Sequence, residues 1–320
     1  MKNILLCSAM ISVILFACKK DNSTTQPNKD QKFPVRIAID GFTQTSEDFD
    51  DRKKSSANAK DAADSLADYI QHLYYLVYNN SNTLVKRIDQ TATDGSFGLI
   101  LDSLAAGHYT IALVGSKNEV YIGGDPVIYL QDELVYFDFP GGDVFYKKTG
   151  IDVSDSVAIA VNLDRVVGKL KVQIQDAIPA SVKNISIQPT TYPLPPEGVS
   201  AGIANNILLY SGTSSGFSGG AGFYSPYYLA IPDSLHGTTN LAIEIYVLAL
   251  NPATISVIIR SLDASYGTIT EKGVTQVNIQ SSKKTVLKGN LFSDLPSESK
   301  GVHVGLNNPG WSNDTTLVNF

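Results

Sequence analysis

The sequence predicts an all-β protein built as two β-sandwiches in tandem, and three observations carry that expectation. Short runs of alternating apolar and polar residues recur every 8–12 residues or so, separated by Gly-, Asn- and Asp-rich turns. Helix-like composition is confined to one weak stretch, Ser55–Leu66. The body that remains after an N-terminal leader and a polar stalk runs to about 290 residues, too long for one small domain and comfortable for two.

The leader comes first. Lys2 supplies a positive n-region, Ile4–Ala17 an apolar h-region, and small Ala17 stands where a peptidase cuts. The run falls short of the ~20 apolar residues that a membrane-spanning helix needs. Its end, Leu15-Phe16-Ala17-Cys18, reads as a bacterial lipobox, in which cleavage leaves Cys18 as the first residue with lipid on its thiol. The only other cysteine, Cys7, leaves with the leader, so the mature chain has no disulfide to form. Several acyl chains, palmitate among them, then hold the protein on a membrane, since each buried CH2 contributes ~0.8 kcal/mol. Lys19–Lys32 is polar and reads as a stalk. The expected divisions are 1–17 leader, 18–32 lipidated cysteine and tether, 33–165 first sandwich and 166–320 second.

The first sandwich opens with Phe33-Pro-Val-Arg-Ile-Ala-Ile-Asp-Gly-Phe42, whose Phe33, Val35, Ile37 and Ile39 share one face. Strands are expected next at Tyr69–Tyr78 and Leu84–Ile88, joined by the turn Asn79-Asn-Ser-Asn82. Asp94-Gly95 introduces Ser96–Leu101, and His108–Val114 returns after Ala-Ala-Gly107. Leu134–Phe139, Val144–Lys148 and Val157–Leu163 come next. The second series runs Lys169–Gln175, Ile185–Pro189, Ile207–Tyr210, Leu241–Leu250, Thr254–Leu262, Val274–Ile279 and Thr285–Phe292. An echo between the halves, "LDSLAAGHYTIALV" at 101–114 and "PDSLHGTTNLAIEIYVL" at 232–248, reads in each case as a turn feeding a strand and favours a boundary near Arg165–Gly168.

Charge narrows the function. Lys and Arg number 25 and Asp and Glu 31, for a net charge of −6. Loss of Lys2 with the leader leaves 24 − 31 = −7. Nucleic acid is a poor partner for such a chain, because binding it needs clustered basic residues.

The lipobox, the stretch "DGSFGLILDSLAAGHYTIALVG", the junction "VAIAVNLDRVVGKLKVQIQDAIP", "KKTVLKGNLF" and a closing segment with Trp311 together resemble the fimbrillin and fimbrial-anchor lipoproteins of type V pili, found in gut and oral Gram-negative bacteria. The resemblance covers nearly all of the chain from Cys18 onward. It implies two transthyretin-like sandwiches, a cell-surface site on the outer membrane held by lipid, other fimbrial subunits as partners, adhesion to host or bacterial surfaces, and no cofactor. Pilins of this family lose their first strand to a trypsin-like protease and accept a partner's strand in its place. Carried over, the displaceable strand bears Phe33, Val35, Ile37 and Ile39. The cleavage loop is the polar stretch with Arg52-Lys53-Lys54, the chain's only run of three basic residues, which on its own reads equally as a solvated loop. Anchor members keep their lipid at the pilus base. Sequence alone leaves anchor, shaft and tip open, and the strong tether favours an anchor that stays uncut. Thr315–Phe320 is either a strand donated to a neighbour or an edge strand of its own domain.

Enzyme motifs are weighed against this. Gly212-Thr-Ser214-Ser-Gly216 and Gly216-Phe-Ser218-Gly-Gly220 match the G-x-S-x-G elbow, with Asp233 and His236 following in hydrolase order, but "SGGAGFYSPYY" does not begin the helix that an elbow requires. His72, His108, His236 and His303 stand singly, and Glu47, Asp48, Asp50 and Asp51 lack calcium-loop spacing, so no metal is expected. Aromatic residues crowd Tyr210–Tyr228, and Tyr224, Tyr227, Tyr228 and Trp311 are candidates for stacking on sugar. That gives the alternative function, a glycan-binding lipoprotein serving polysaccharide capture, against core packing or an interface edge. Coplanar exposed rings would favour glycan; buried rings and an accessible sheet edge would favour the pilus. Finally, Ser65, Ser103, Ser156 and Ser234 stand in Asp-Ser-apolar triplets, which on their own read as turn chemistry; the resemblance implies that such triplets also take O-glycans, and both can hold.

Overall fold

Alternation in the first described segment becomes a twelve-residue strand, and strands dominate the rest of the described chain. The computed structural model describes residues 31–43, 65–123, 134–136, 142–193, 203, 206–214, 226–293 and 315–319. In chain order these hold β1 (Lys32–Thr43), a four-residue helix α1 (Leu66–Tyr69), β2 (His72–Asn79), β3 (Leu84–Thr91), β4 (Leu99–Ala105), β5 (Gly107–Ser116), β6 (Tyr121–Gly123), β7 (Leu134–Tyr136), β8 (Val144–Val153) and β9 (Val157–Arg165). Then come β10 (Val167–Ile174), β11 (Asn184–Thr190), β12 (Asn206–Leu208), β13 (Thr213–Ser214), β14 (Tyr227–Ala230), a 3-10 turn at Asp233–Leu235, β15 (Leu241–Leu248), β16 (Ala253–Leu262), β17 (Thr268–Ile279), β18 (Lys284–Gly289) and β19 (Thr315–Asn319). The protein is all-β, as its alternation predicts.

Seven strands form one sheet in the order β3-β2-β5-β8-β9-β1-β4. The sheet folds over on itself at β8–β9, where pairing is limited to Phe145↔Arg165 and Tyr146↔Asp164. One layer (β9, β1, β4) therefore lies on the other (β3, β2, β5, β8). Val35, Ile37, Ile100, Leu104, Val161 and Leu163 meet Leu73, Tyr75, Val77, Ile111, Leu113 and Phe145 between them. Folding brings the two end strands, β3 and β4, toward each other. Side chains rather than backbone close this seam: Tyr75 Oη donates to Asp102 Oδ2 at 3.2 Å, and Lys86 Nζ lies 3.1 Å from Asp102 Oδ1. Gln90 Nε2 donates to the Leu99 carbonyl at 2.9 Å while its Oε1 accepts from Gly98 N at 3.1 Å. Gly98 has φ +85°, and a Cβ there would stand 2.6 Å from Leu66 Cδ2, so no larger residue fits without a shift.

On the other side of Val166, two four-stranded sheets, β15-β10-β18-β19 and β14-β11-β16-β17, face each other. Leu170, Val172, Ile243, Ile245 and Leu287 belong to one core with Ile185, Ile187, Val257, Ile259 and Val277. A fourth sheet, β13-β12-β7-β6, draws strands from both sides of Val166. The reason lies in β2, whose Leu73–Tyr78 are all buried. Its odd residues enter the first core, while Tyr74, Leu76 and Tyr78 join the second cluster with Ile122, Tyr146, Ile207 and Leu209. A strand apolar on both faces needs a layer on each.

Two expectations are corrected. Tyr69 ends α1 instead of opening a strand, because Ser65 caps that turn: its Oγ accepts from Ala67 N at 3.3 Å, and Asp68 Oδ2 accepts from Ser65 N at 2.8 Å. The echoed Asp-Ser-Leu triplets also differ. Asp102-Ser103-Leu104 lies within β4, drawn in by the seam and by buried Leu104, whereas Asp233-Ser234-Leu235 forms the 3-10 turn before β15.

Candidate functional site

The first strand occupies the centre of its layer. β1 runs parallel to β9 from Val35↔Val157 to Thr43↔Asp164, and antiparallel to β4 from Lys32↔Ala105 to Ala38↔Leu99. Val35 and Ile37 are 2% and 0% exposed, and Phe33 and Ile39 pack partly buried against the same core. Residues Pro34, Arg36 and Asp40 between them face outward. The register with β9 slips between Ile39 and Gly41, a β-bulge with Gly41 at φ +152°. The slip shifts the phase by one, so Phe42 turns inward and its ring lies 4.2 Å from that of Phe145 and 5.0 Å from that of Tyr69. The alternation in the sequence identifies Phe33, Val35, Ile37 and Ile39 but not this fifth core residue. The glycine inside the alternation was the available signal.

The slot that β1 fills has β9 on one side and β4 on the other. Withdrawing its four alternating side chains exposes roughly 6–12 kcal/mol worth of burial, at ~1.5–3 kcal/mol each. β4 is itself an end strand, held to the rest of its sheet by β1 and across the seam by the buried Asp102 carboxylate. Burial, and then the Asp102 charge, push the Tyr75 phenol upward, so it remains a neutral donor to that carboxylate.

At the other end of the chain β19 lies at a sheet edge, parallel to β18 from Lys284↔Thr315 to Lys288↔Asn319. It is thus an edge strand of its own sheet. Between the halves, Arg165 is almost fully buried and holds Asp143 with both a 2.9 Å and a 3.2 Å contact, its guanidinium 5.0 Å from the Phe145 ring. Val166 N donates to Val144 O, and Val166 O accepts from Ala249 N, which ties the connecting residue to both sides. A Cβ on Gly168 would come within 2.6 Å of the Gln280 carbonyl oxygen, a close backbone approach that only glycine permits.

The remaining sequence candidates divide plainly. Cys18, Arg52, Lys53, Lys54, Tyr224, Trp311, Ser218 and the acidic group Glu47–Asp51 lie outside the described residues. Ser65, Ser103, Ser156 and Ser234 are all exposed, three of them at a cap or turn and Ser103 in a paired strand. Tyr227 packs inward while Tyr228 is exposed; the Tyr228 ring meets Tyr266 at 5.9 Å and 86°, an edge contact instead of a flat platform. Tyr210 packs edge-on to Tyr78. Ser214 sits in a two-residue strand. His236 is occupied by Val182 O at 2.9 Å on Nε2 and Asp233 at 3.5 Å on Nδ1, and Asp233 accepts from Lys183 at 2.8 Å, a bond that holds its carboxyl below the usual range. His108 pairs with Asp152 at 2.7 Å. Among the described residues no three His, Cys, Asp or Glu side chains gather as a metal site would require.

A family model described as fimbrillin-A associated anchor proteins Mfa1 and Mfa2 matches residues 46–213, just over half of the chain. Among solved structures, the chain is similar to the fimbrial anchor protein Mfa2 from Porphyromonas gingivalis, with 12% identity, 76% of this chain and 82% of that chain covered, and a TM-score of 0.43. It is also similar to a candidate adhesin from Bacteroides ovatus (10% identity, coverage 83% and 88%, TM-score 0.44). A fimbrial assembly protein from Parabacteroides distasonis gives 10% identity, coverage of 81% and 91%, and a TM-score of 0.37. No curated protein matches the chain by sequence. The family match alone carries the assignment.

Proposed function

The chain belongs to the family of fimbrillin-A associated anchor proteins, and from that premise we propose that it is the lipid-anchored base of a fimbria. In this reading Cys18 carries the lipid at the outer membrane, 18–32 is the tether, and two sandwich domains, 33–165 and 166–320, form a non-enzymatic body that binds a neighbouring fimbrial subunit through strand contacts. Membership places the protein at the cell surface with fimbriae. The anchor role within that setting is supported by one observation above the others, the match to the anchor family over residues 46–213. β1, the strand continuous with the tether, is paired along both sides and buries Val35 and Ile37, so an uncut chain joins lipid to body through a seated strand. A pilin before cleavage would hold the same strand, and the N-terminus of the assembled form separates the two. The exposed serines Ser65, Ser103, Ser156 and Ser234 are open to O-glycan attachment in the same reading. Polysaccharide capture is disfavoured by the perpendicular Tyr228–Tyr266 pair, which offers a sugar no flat face.

The test is made in the producing bacterium. Cys18→Ala should leave fimbriae in the medium instead of on cells. Fimbriae retained on cells at wild-type numbers would overturn the anchor reading.

A further inference from the structure

We propose that β1 and its two neighbours form a mechanical clamp, arranged so that tension between the tether and the second half of the body loads the strand lengthwise. The inference rests on the anchor reading for its biological setting but on register alone for its physics. Tension from the tether enters β1 at Lys32. β1 is parallel to β9, so Thr43 at its far end lies beside Asp164. One residue beyond Arg165 the chain passes through Val166 into β10. Force that enters at the start of β1 and leaves at the end of β9 therefore crosses a parallel pair from one end to the other. The ladder from Val35↔Val157 to Thr43↔Asp164, interrupted by the bulge at Gly41, is loaded along its length, so its pairs share the load instead of opening one by one from an end. β4 adds a second ladder on the opposite side, from Lys32 to Ala38. The bulge at Gly41 and the inward ring of Phe42 act as a catch near the far end, since sliding β1 toward its N-terminus drags that ring out from beside Phe145.

The next joint repeats the geometry. β10 begins at Val167 and pairs antiparallel with β15, which places Ile174 beside Leu241. Load entering at Val167 and leaving at the start of β15 again runs the length of a ladder. Arg165, bound to Asp143 through two nitrogens, and Val166, bonded to both halves, stiffen the link between the two joints. A tether joined instead to a strand next to its own exit would unzip one pair at a time.

The experiment compares pulling directions on one protein. Without residues 1–17 the chain has a single cysteine, Cys18, which serves as the first handle. The second handle is an added cysteine at an exposed turn, either Thr239→Cys, just before β15, or Ser156→Cys, at the same end of the layer as Lys32. Both variants must match the parent in melting temperature. Single-molecule force measurement then reads the force at which β1 leaves, identified by the length released. The clamp predicts release between Cys18 and position 239 at about twofold or greater force than between Cys18 and position 156, because forced release tracks the barrier along the pulled direction. If another segment unfolds first in the 239 geometry, β1 still seated above the force that releases it in the 156 geometry also supports the clamp. Equal forces in the two directions, or a lower force toward 239, overturn it. Neither result depends on lipidation, so this test and that of Cys18→Ala fail separately.

Discussion

β1 lies between two partners, β9 and β4, in the middle of its layer, whereas β19, the last described strand, pairs with β18 at the edge of its sheet. They are the first and last described strands, β1 twelve residues of alternating sequence and β19 five residues with Leu317 and Val318 side by side. One completes a sandwich whose far strand, β4, depends on it; the other extends a sheet that already has three strands. Position in the sheet, more than composition, decides which end of the chain the body depends on.

Removing each strand in turn breaks that comparison most directly. A chain beginning after Thr43 loses roughly 6–12 kcal/mol of burial, set against a total stability of about 5–15 kcal/mol. It should be recovered unfolded or as aggregates, judged by near-ultraviolet circular dichroism and size-exclusion chromatography. A chain ending before Thr315 should fold and melt within about 5 °C of the parent. Equal damage from the two truncations would show that β19 matters as much as β1.

Asp102→Ala sharpens the comparison one strand further out. It leaves the Tyr75 hydroxyl buried without its acceptor and Lys86 without its ion pair at the seam. A loss of about 1–3 kcal/mol in urea unfolding is expected. A loss of only a few tenths would mean that β4 is held by β1 alone.

Lys169 gives a smaller effect in the second half. Burial disfavours its ammonium, but Tyr246 and Glu244 outweigh burial and raise its pKa above the ordinary value of 10.5. The folded value thus exceeds the unfolded one, so the contribution is fully present below the ordinary lysine value and is lost as pH rises through the folded value. Lys169→Met should flatten this part of the alkaline unfolding profile, and an unchanged profile would show that Lys169 contributes nothing to it.

Much of the frame was legible in the sequence. Phe33, Val35, Ile37 and Ile39 alternate, and the alternation is the strand. The turn at Asn79–Asn82 was visible because asparagine side chains bond local backbone: Asn79 Oδ1 accepts from Ser81 and Thr83. Phe42 escaped, since one bulge inverts every face downstream of it. Burial of both faces of β2 was written in its unbroken apolar run, but which layer would cover Tyr74, Leu76 and Tyr78 depends on β12, more than a hundred residues away. The same triplet, Asp-Ser-Leu, became strand at 102–104 and 3-10 turn at 233–235 because a buried tyrosine and a lysine hold the first aspartate while the second stands exposed beside Lys183. Parallel pairing of β19 with β18 was equally out of reach, because no local turn chemistry fixes a parallel register.

Mass spectrometry of the N-terminal region of the form assembled on cells tests the proposal that this protein remains joined through an uncut first strand to a lipid on Cys18. The expected result is an acylated Cys18 and peptides that run unbroken through Arg52, Lys53 and Lys54. A mature N-terminus immediately after any of those three residues would contradict the claim and make the protein a polymerising pilin.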